Sequence, residues 1–225
     1  MRNLLVRRGF LVAALAGLML LLAGTAVAAP LDLNNTGINL VAGQDQSWEV
    51  LYYNGSIWTS LGEAYFVVNN GYPGAWAAND PSSAWIAPHA DYTGLTADPD
   101  GDYIFRTTFT VSGVDPGSLI VSGLWSTDNQ GVEIALNGGD TGVGALGVTD
   151  YHTLHAFTIS SGFQSGLNTL DIHVHNEPCP DCNGGPNPVG ARFDVTDIRT
   201  PEPASLLLIG LGLGLLGVIR RRKLA

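Results

Sequence analysis

Apolar and polar residues alternate along the central part of the chain with a period of two, which is typical of half-buried β-strands. Six segments carry this pattern: residues 103–111, 118–126, 131–139, 152–160, 168–176 and 191–199. Turn-forming sequences such as Val114-Asp115-Pro116-Gly117 lie between them. No helical period occurs between residues 29 and 200. The pattern therefore predicts an all-β body, an antiparallel β-sandwich or jelly roll.

The first part of this body is less regular. Residues 31–100 are rich in tryptophan and show no sustained alternation. We expect this segment to supply the first strands and a long loop over residues 69–94, where Gly, Pro, Asn and Ser are frequent.

A second kind of pattern marks the N-terminus. Three arginines, Arg2, Arg7 and Arg8, precede a nearly continuous apolar run over residues 10–22. Small residues follow, with Ala26 and Ala28 at positions −3 and −1 of a cleavage site. This order is typical of a secretory signal peptide and predicts a signal helix, export through the Sec translocation machinery and removal of residues 1–28. The run is short for a membrane span of about 20 residues, which disfavours an uncleaved anchor.

The C-terminus carries another apolar run, residues 204–219, which contains four glycines. Its 16 residues are marginal for a span, which usually needs ~17–25. Four basic residues follow directly and would act as a stop-transfer signal on the cytoplasmic side: Arg220, Arg221, Arg222 and Lys223. The pattern predicts a single C-terminal transmembrane helix with the body outside, as a transient or a permanent inner-membrane anchor.

The residues Pro201, Glu202 and Pro203, the apolar run and the basic terminus together resemble a PEP-CTERM sorting signal. The resemblance covers about 25 residues. It implies a Gram-negative bacterium that makes extracellular polysaccharide, and an exosortase-type membrane peptidase that removes the tail. The two prolines also favour an extended segment that a protease can reach. The expected division is a signal peptide (1–28), a β-sandwich body (29–200) and a sorting signal (201–225).

Charge separates the body from both termini. Residues 29–203 contain all 20 acidic residues of the chain but only three basic ones, Arg106, Arg192 and Arg199, a formal net charge of −17. Such a field repels nucleic acid and anionic membrane surfaces, so neither is an expected partner. It favours cations, although solubility outside the cell is the simpler interpretation.

The order of motifs in the body resembles the galactose-binding-like jelly roll. The resemblance rests on residues 85–88, 103–109, 124–129, 132–138 and 168–170, and extends over roughly residues 45–199. It implies a fold, and a fold alone does not define a ligand.

Three groups of residues are candidate metal or redox sites. Asp98, Asp100 and Asp102 alternate around Gly101 and could bind Ca²⁺, or form a plain acidic turn. Cys179 and Cys182 suggest a local disulfide, since a zinc or redox site would need further features.

His173 and His175 lie on one face of a predicted strand, with Ile172 and Val174 on the other. The two histidines could bind a metal together with His152 or His155. A polar, solvent-exposed sheet face explains the same pattern. None of these candidate sites requires a cofactor. The one cofactor that the sequence suggests is Ca²⁺, at the three aspartates.

The five tryptophans raise the question of carbohydrate binding, because the apolar face of a sugar ring stacks on indole. Trp76, in the loop over residues 69–94, is the expected exposed contact, whereas core packing is expected for most of the others. No G-x-S-x-G, H-E-x-x-H or P-loop motif occurs, so an enzyme is not expected.

The sequence thus predicts an exported, non-catalytic cell-surface or extracellular-matrix protein that associates with extracellular polysaccharide, as an adhesin or carbohydrate-binding protein. The alternatives are a structural biofilm component without a discrete ligand and, third, a hydrolase of envelope polysaccharide.

Overall fold

The computed structural model describes residues 31–68, 76–90, 98–178 and 187–200, together with Gly210 and Gly212. All of them lie in the unit Leu31–Ala225. Between residues 31 and 200 the described chain forms two single-turn 3-10 helices, Pro116–Ser118 and Asp150–His152, and is otherwise β-structure and loops, whereas Gly210 and Gly212 are helical. The strands are β1 (Leu40–Val41), β2 (Gln44–Tyr53), β3 (Trp58–Phe66), β4 (Ile86–Ala87), β5 (Gly101–Val111), β6 (Ile120–Asp128), β7 (Gln130–Leu136), β8 (Gly139–Asp140), β9 (His155–Ile159), β10 (Gly166–Asn176) and β11 (Gly190–Arg199).

Every strand pairing is antiparallel, in the order β8-β7-β10-β5-β2-β3-β4-β11-β6-β9, with β1 beside β2. The two-residue strand β4 links two larger groups of strands. We call β8, β7, β10, β5, β2 and β3 the front layer, and β4, β11, β6 and β9 the back layer. The all-β, antiparallel prediction is confirmed, and the architecture is consistent with the predicted β-sandwich.

One apolar core joins the two layers. The front layer contributes Trp48, Phe105 and Ile172, and the back layer contributes Trp125 and Phe193, all of them buried. The rings of Trp48 and Phe193 lie 5.7 Å apart between centroids. Burial of each such side chain stabilises the fold by roughly 1.5–3 kcal/mol.

The alternation in the sequence follows directly from this core. In β10, Ile172 and Val174 are buried while His173 and His175 are only partly buried. The predicted opposite orientation of the two pairs is therefore confirmed. The side of the front layer that faces away from the core is consequently polar.

Each of the six patterned segments contains a strand, from β5 to β11 apart from the short β8. The turn Asn137-Gly138 joins β7 to β8 with positive φ angles of 54° and 76°, which Asn and Gly adopt most readily. The irregular first part supplies β1 to β4, as expected. The prediction of one long loop over residues 69–94 is wrong in one respect, because this segment contains the strand β4. With two residues, β4 is too short to show an alternating pattern in the sequence.

The predicted signal helix, the apolar run over residues 204–219, the Pro-Glu-Pro tripeptide and the basic terminus lie outside the described residues, apart from the helical Gly210 and Gly212. No helix in the described part of the chain has the length and apolar character needed to cross a membrane.

Candidate functional site

The outer face of the front layer gathers charged and aromatic side chains from four neighbouring strands, β10, β5, β2 and β3. Residues in register on adjacent antiparallel strands project to the same side of a sheet. Two lateral rows result. The first joins His175, Asp102, Tyr53 and Trp58, and the second joins Asp171, Arg106, Glu49 and Glu63.

Arg106 stands at the centre of the second row, held by a bidentate ion pair. Its Nε donates a 2.7 Å hydrogen bond to Oδ1 of Asp171, and its Nη2 donates a 2.7 Å hydrogen bond to Oδ2 of the same carboxylate. This hydrogen bonding raises the pKa of Arg106, an effect that burial opposes and the nearby charge of Glu49 reinforces. Such a forked pair fixes the guanidinium in one orientation.

A cavity of about 340 Å³ opens beside Arg106. It is lined by Gln46, Ser47, Trp48, Glu49, Gly62, Glu63, Arg106 and Thr108. Glu49 and Glu63 are direct cross-strand partners there. Neither of their carboxylates forms a hydrogen bond or close ion pair with any described residue, although the charge of Glu49 acts on Arg106. Like charges in this arrangement repel each other.

An aromatic pair, exposed Trp58 and half-buried Tyr53, lies on the same two strands. Tyr53 and Trp58 are cross-strand partners, and their ring centroids are 5.2 Å apart. Trp58 is 43% exposed, whereas the other four tryptophans are buried. Tyr53 lies four residues along β2 from Glu49, a separation of about 13 Å at the usual rise per residue. The outer face therefore combines a polar cavity with an aromatic surface.

The expectation that Trp76 is the exposed tryptophan is wrong. Trp76 is only 5% exposed and packs against Trp85, with ring centroids 4.4 Å apart. Its Nε1 donates a 2.6 Å hydrogen bond to Asp128. Burial raises the pKa of the Asp128 carboxyl to about 7, against the opposing effect of hydrogen bonds from Trp76 and Asn129. A sugar cannot stack on an indole that is enclosed in this way.

The structure also does not bring Asp98, Asp100 and Asp102 together as a calcium site would require. Asp98 is buried, where its carboxylate accepts a 2.8 Å hydrogen bond from the backbone of Val189 and lies 3.2 Å from His89 Nε2. Asp102 instead contacts His175 Nδ1 at 2.7 Å. Across the described ranges, no three His, Cys, Asp or Glu side chains are grouped so that they could hold a metal ion.

His173 and His175 have carboxylate partners instead of a third imidazole. His173 Nδ1 lies 3.3 Å from Glu133, and His175 pairs with Asp102. His155 lies in β9 of the back layer, 3.9 Å from Asp150. His173 and His175 thus belong to the polar outer face of the front layer, whereas His155 lies on another layer. Cys179 and Cys182 are outside the described residues.

Sequence reasoning missed Trp58, Glu49, Glu63 and Arg106 as members of one site. One signal was available, because Asn54-Gly55 is a turn sequence and its flanking residues Tyr53 and Trp58 could be expected to pair in a hairpin. The meeting of β2, β5 and β10 could not be read from local patterns, since these strands are distant in the chain.

Comparison with known proteins identifies the tail. Residues 199–223 match the family model described as the PEP-CTERM protein-sorting motif. No curated protein matches the chain. The match confirms the predicted sorting signal, and with it an exported protein whose processing by an exosortase, a membrane peptidase, the motif implies. It is confined to the tail and leaves the role of the body open.

Proposed function

We propose that the protein is a non-catalytic cell-surface or extracellular-matrix protein that binds extracellular polysaccharide on the outer face of the front layer. The sorting motif supports delivery to the exterior, where such polymers lie. The observation that carries the binding role is the combination of the cavity beside Arg106 with the aromatic pair of exposed Trp58 and half-buried Tyr53.

Both parts suit the chemistry of a sugar. Hydroxyl groups of a sugar ring can donate to Glu49 and Glu63, and can accept from the amide of Gln46. The apolar face of a neighbouring ring can stack on Trp58. A volume of about 340 Å³ falls at the lower end of the usual range for ligand sites, roughly 300–1,000 Å³, which suits one or two sugar residues of a longer chain.

Tyr53 of the aromatic pair also lies about 13 Å along β2 from Glu49, a residue that lines the cavity, and a single sugar ring does not span that distance. An extended polymer, in contrast, could contact both at once. This favours a polysaccharide over a free monosaccharide.

The test is retention of the purified exported protein on immobilised extracellular polysaccharide. We expect Trp58→Ala to weaken retention roughly tenfold, because it removes the stacking surface. The matched control is Ile198→Ala, which truncates a similarly exposed apolar side chain on the back layer. Equal retention of the wild type and Trp58→Ala would reject this face as the binding site.

Two further outcomes separate the alternatives. Absence of binding to every polysaccharide tried would favour a structural biofilm component without a discrete ligand. Release of reducing ends during incubation would show hydrolysis and would reject a non-catalytic role.

A further inference from the structure

The charge of the cavity points to one class of sugar. We infer that it binds a positively charged amino sugar, a hexosamine residue whose amine is not acetylated, within the polysaccharide. This inference rests on the proposed function and narrows its ligand.

The first argument is the unpaired state of Glu49 and Glu63. The two residues are directly opposite each other on β2 and β3, and both line the cavity. Neither carboxylate forms a hydrogen bond or a close ion pair with any described residue, and Arg106, the cross-strand partner of Glu49, is bonded to Asp171 instead. A ligand ammonium group carries three N–H donors and a positive charge, so it can serve both carboxylates and remove their repulsion.

The second argument concerns Arg106, the only cation among the described residues that line the cavity. Arginine usually recognises an anionic ligand through two parallel N–H bonds. Here Nε and Nη2 are already occupied by Asp171 at 2.7 Å. The ion pair neutralises the guanidinium, so Glu49 and Glu63 leave an excess of two negative charges. A uronic acid or sulfated sugar would be repelled by this excess negative charge.

The third argument is the field of the whole body. Residues 29–203 carry a formal charge of −17, with no lysine and three arginines. Of these arginines, Arg192 is buried and bonded to Asp80, and Arg199 pairs with Asp197. Such a field attracts a cationic polymer and repels an anionic one over several ångströms at physiological salt.

The experiment compares four immobilised or labelled probes against the purified exported protein. They are a short oligosaccharide of glucosamine, its fully N-acetylated counterpart, a neutral glucan and a polyuronate. We expect the glucosamine oligosaccharide to bind at least tenfold more tightly than the acetylated one, and the preference to fall as salt is raised. We expect the polyuronate not to bind.

The variants Glu49→Gln and Glu63→Gln locate this preference. Each removes one charge of the repelling pair, so each should leave the melting temperature unchanged or higher, and a loss of binding cannot then be attributed to unfolding. We expect the double variant to bind free and acetylated oligosaccharides equally. Glu133→Gln is the matched control, since Glu133 lies on the same face beside His173 and outside the cavity.

The outcomes distinguish the inference from the function on which it rests. Equal binding of free and acetylated oligosaccharides by the wild type overturns the inference and leaves polysaccharide binding intact. Tighter binding of the polyuronate overturns it in the same way. An amine preference that survives in the double variant, or is lost in Glu133→Gln, removes the cavity as its origin. Absence of binding to all four probes overturns both proposals.

Discussion

The indole Nε1 of Trp76 donates a 2.6 Å hydrogen bond to Oδ2 of Asp128, and both side chains are buried. Asp128 is the last residue of β6, whereas Trp76 belongs to the segment before β4. The bond thus ties that segment to the back layer. A tryptophan in a Gly- and Asn-rich context therefore serves the packing of the protein.

The first prediction concerns Trp76→Phe. Phenylalanine preserves an aromatic ring against Trp85 but leaves the buried carboxyl of Asp128 without its indole donor. We expect the free energy of unfolding to fall by about 1–3 kcal/mol in a urea titration. Retention on polysaccharide at a temperature where the variant is folded should equal that of the wild type. If Trp76→Phe is as stable as the wild type but fails to bind polysaccharide, Trp76 contacts the ligand after all and this prediction is wrong.

The second prediction follows from the pKa of Asp128, which burial raises from 3.8 to about 7. Below about pH 4 the carboxyl is protonated in both the folded and the unfolded states. Between pH 4 and 7 the unfolded chain releases the proton while the folded protein keeps it, so stability falls as the pH rises. Above about pH 7 the carboxyl is ionised in both states, so the loss of stability that this group causes is complete.

We expect this group to lower the free energy of unfolding by up to about 4 kcal/mol between pH 4 and 7. Asp128→Asn cannot ionise and provides the comparison. Urea unfolding of both proteins at several pH values should show the wild type losing its advantage over the variant as the pH rises. A difference that is constant from pH 4 to 8 would contradict the raised pKa.

How far the sequence predicted this molecule depends on the range of the interactions involved. Alternation within β10 placed Ile172 and Val174 inside and His173 and His175 outside, because strand geometry is local. The exposure of Trp58 and the burial of Trp76 depend on which strands and loops meet. Asp98, Asp100 and Asp102 are close in sequence, yet one of these side chains turns inward while another pairs with His175.

The third prediction compares two acid–arginine pairs that differ in burial. Asp80 and Asp197 are about equally exposed, at 46% and 42%. Their arginine partners are not, since the Arg192 side chain is 1% exposed and that of Arg199 is 75% exposed. Loss of the acid therefore leaves a buried cation in one case and a solvated cation in the other.

We expect Asp80→Asn to reduce the free energy of unfolding by roughly 2–4 kcal/mol, since an unpaired buried charge is costly. Asp197→Asn should change it by less than about 1 kcal/mol, as for other surface pairs. Ser83 and the carbonyl of Ala78 still bind Arg192 in the first variant, which limits the loss. Thermal and urea unfolding of the two variants, side by side, measure the contrast. Equal effects would mean that Ser83 and Ala78 suffice to hold the guanidinium.

The fourth prediction tests the close packing of β6 against β11. A Cβ atom on Gly123 would collide with the carbonyl oxygen of Asp194 and lie 2.8 Å from the ring of Phe157. Gly123→Ala must displace a strand. We therefore expect the free energy of unfolding to fall by about 1–3 kcal/mol or more, as at other overpacked sites. Gly144→Ala is the control, because nothing lies within 4 Å of its added Cβ atom and it should change stability by less than about 1 kcal/mol. Similar melting temperatures for the two variants would contradict this packing.

The last prediction concerns the tail that carries the sorting motif. The apolar run over residues 204–219 is short and contains four glycines, as we expect of a temporary membrane segment, and we expect the four basic residues after it to stop translocation. Pro201, Glu202 and Pro203 precede it, and we expect the two prolines to disfavour a helix and to leave this segment accessible to a peptidase. Because the motif implies exosortase processing, we expect the mature surface form to lack Arg220 to Lys223.

Intact-mass measurement of protein recovered from the cell surface tests this expectation, with a Pro201→Ala and Pro203→Ala double variant as the unprocessed reference. A surface form that retains the mass of the basic terminus would show that the tail is a lasting anchor.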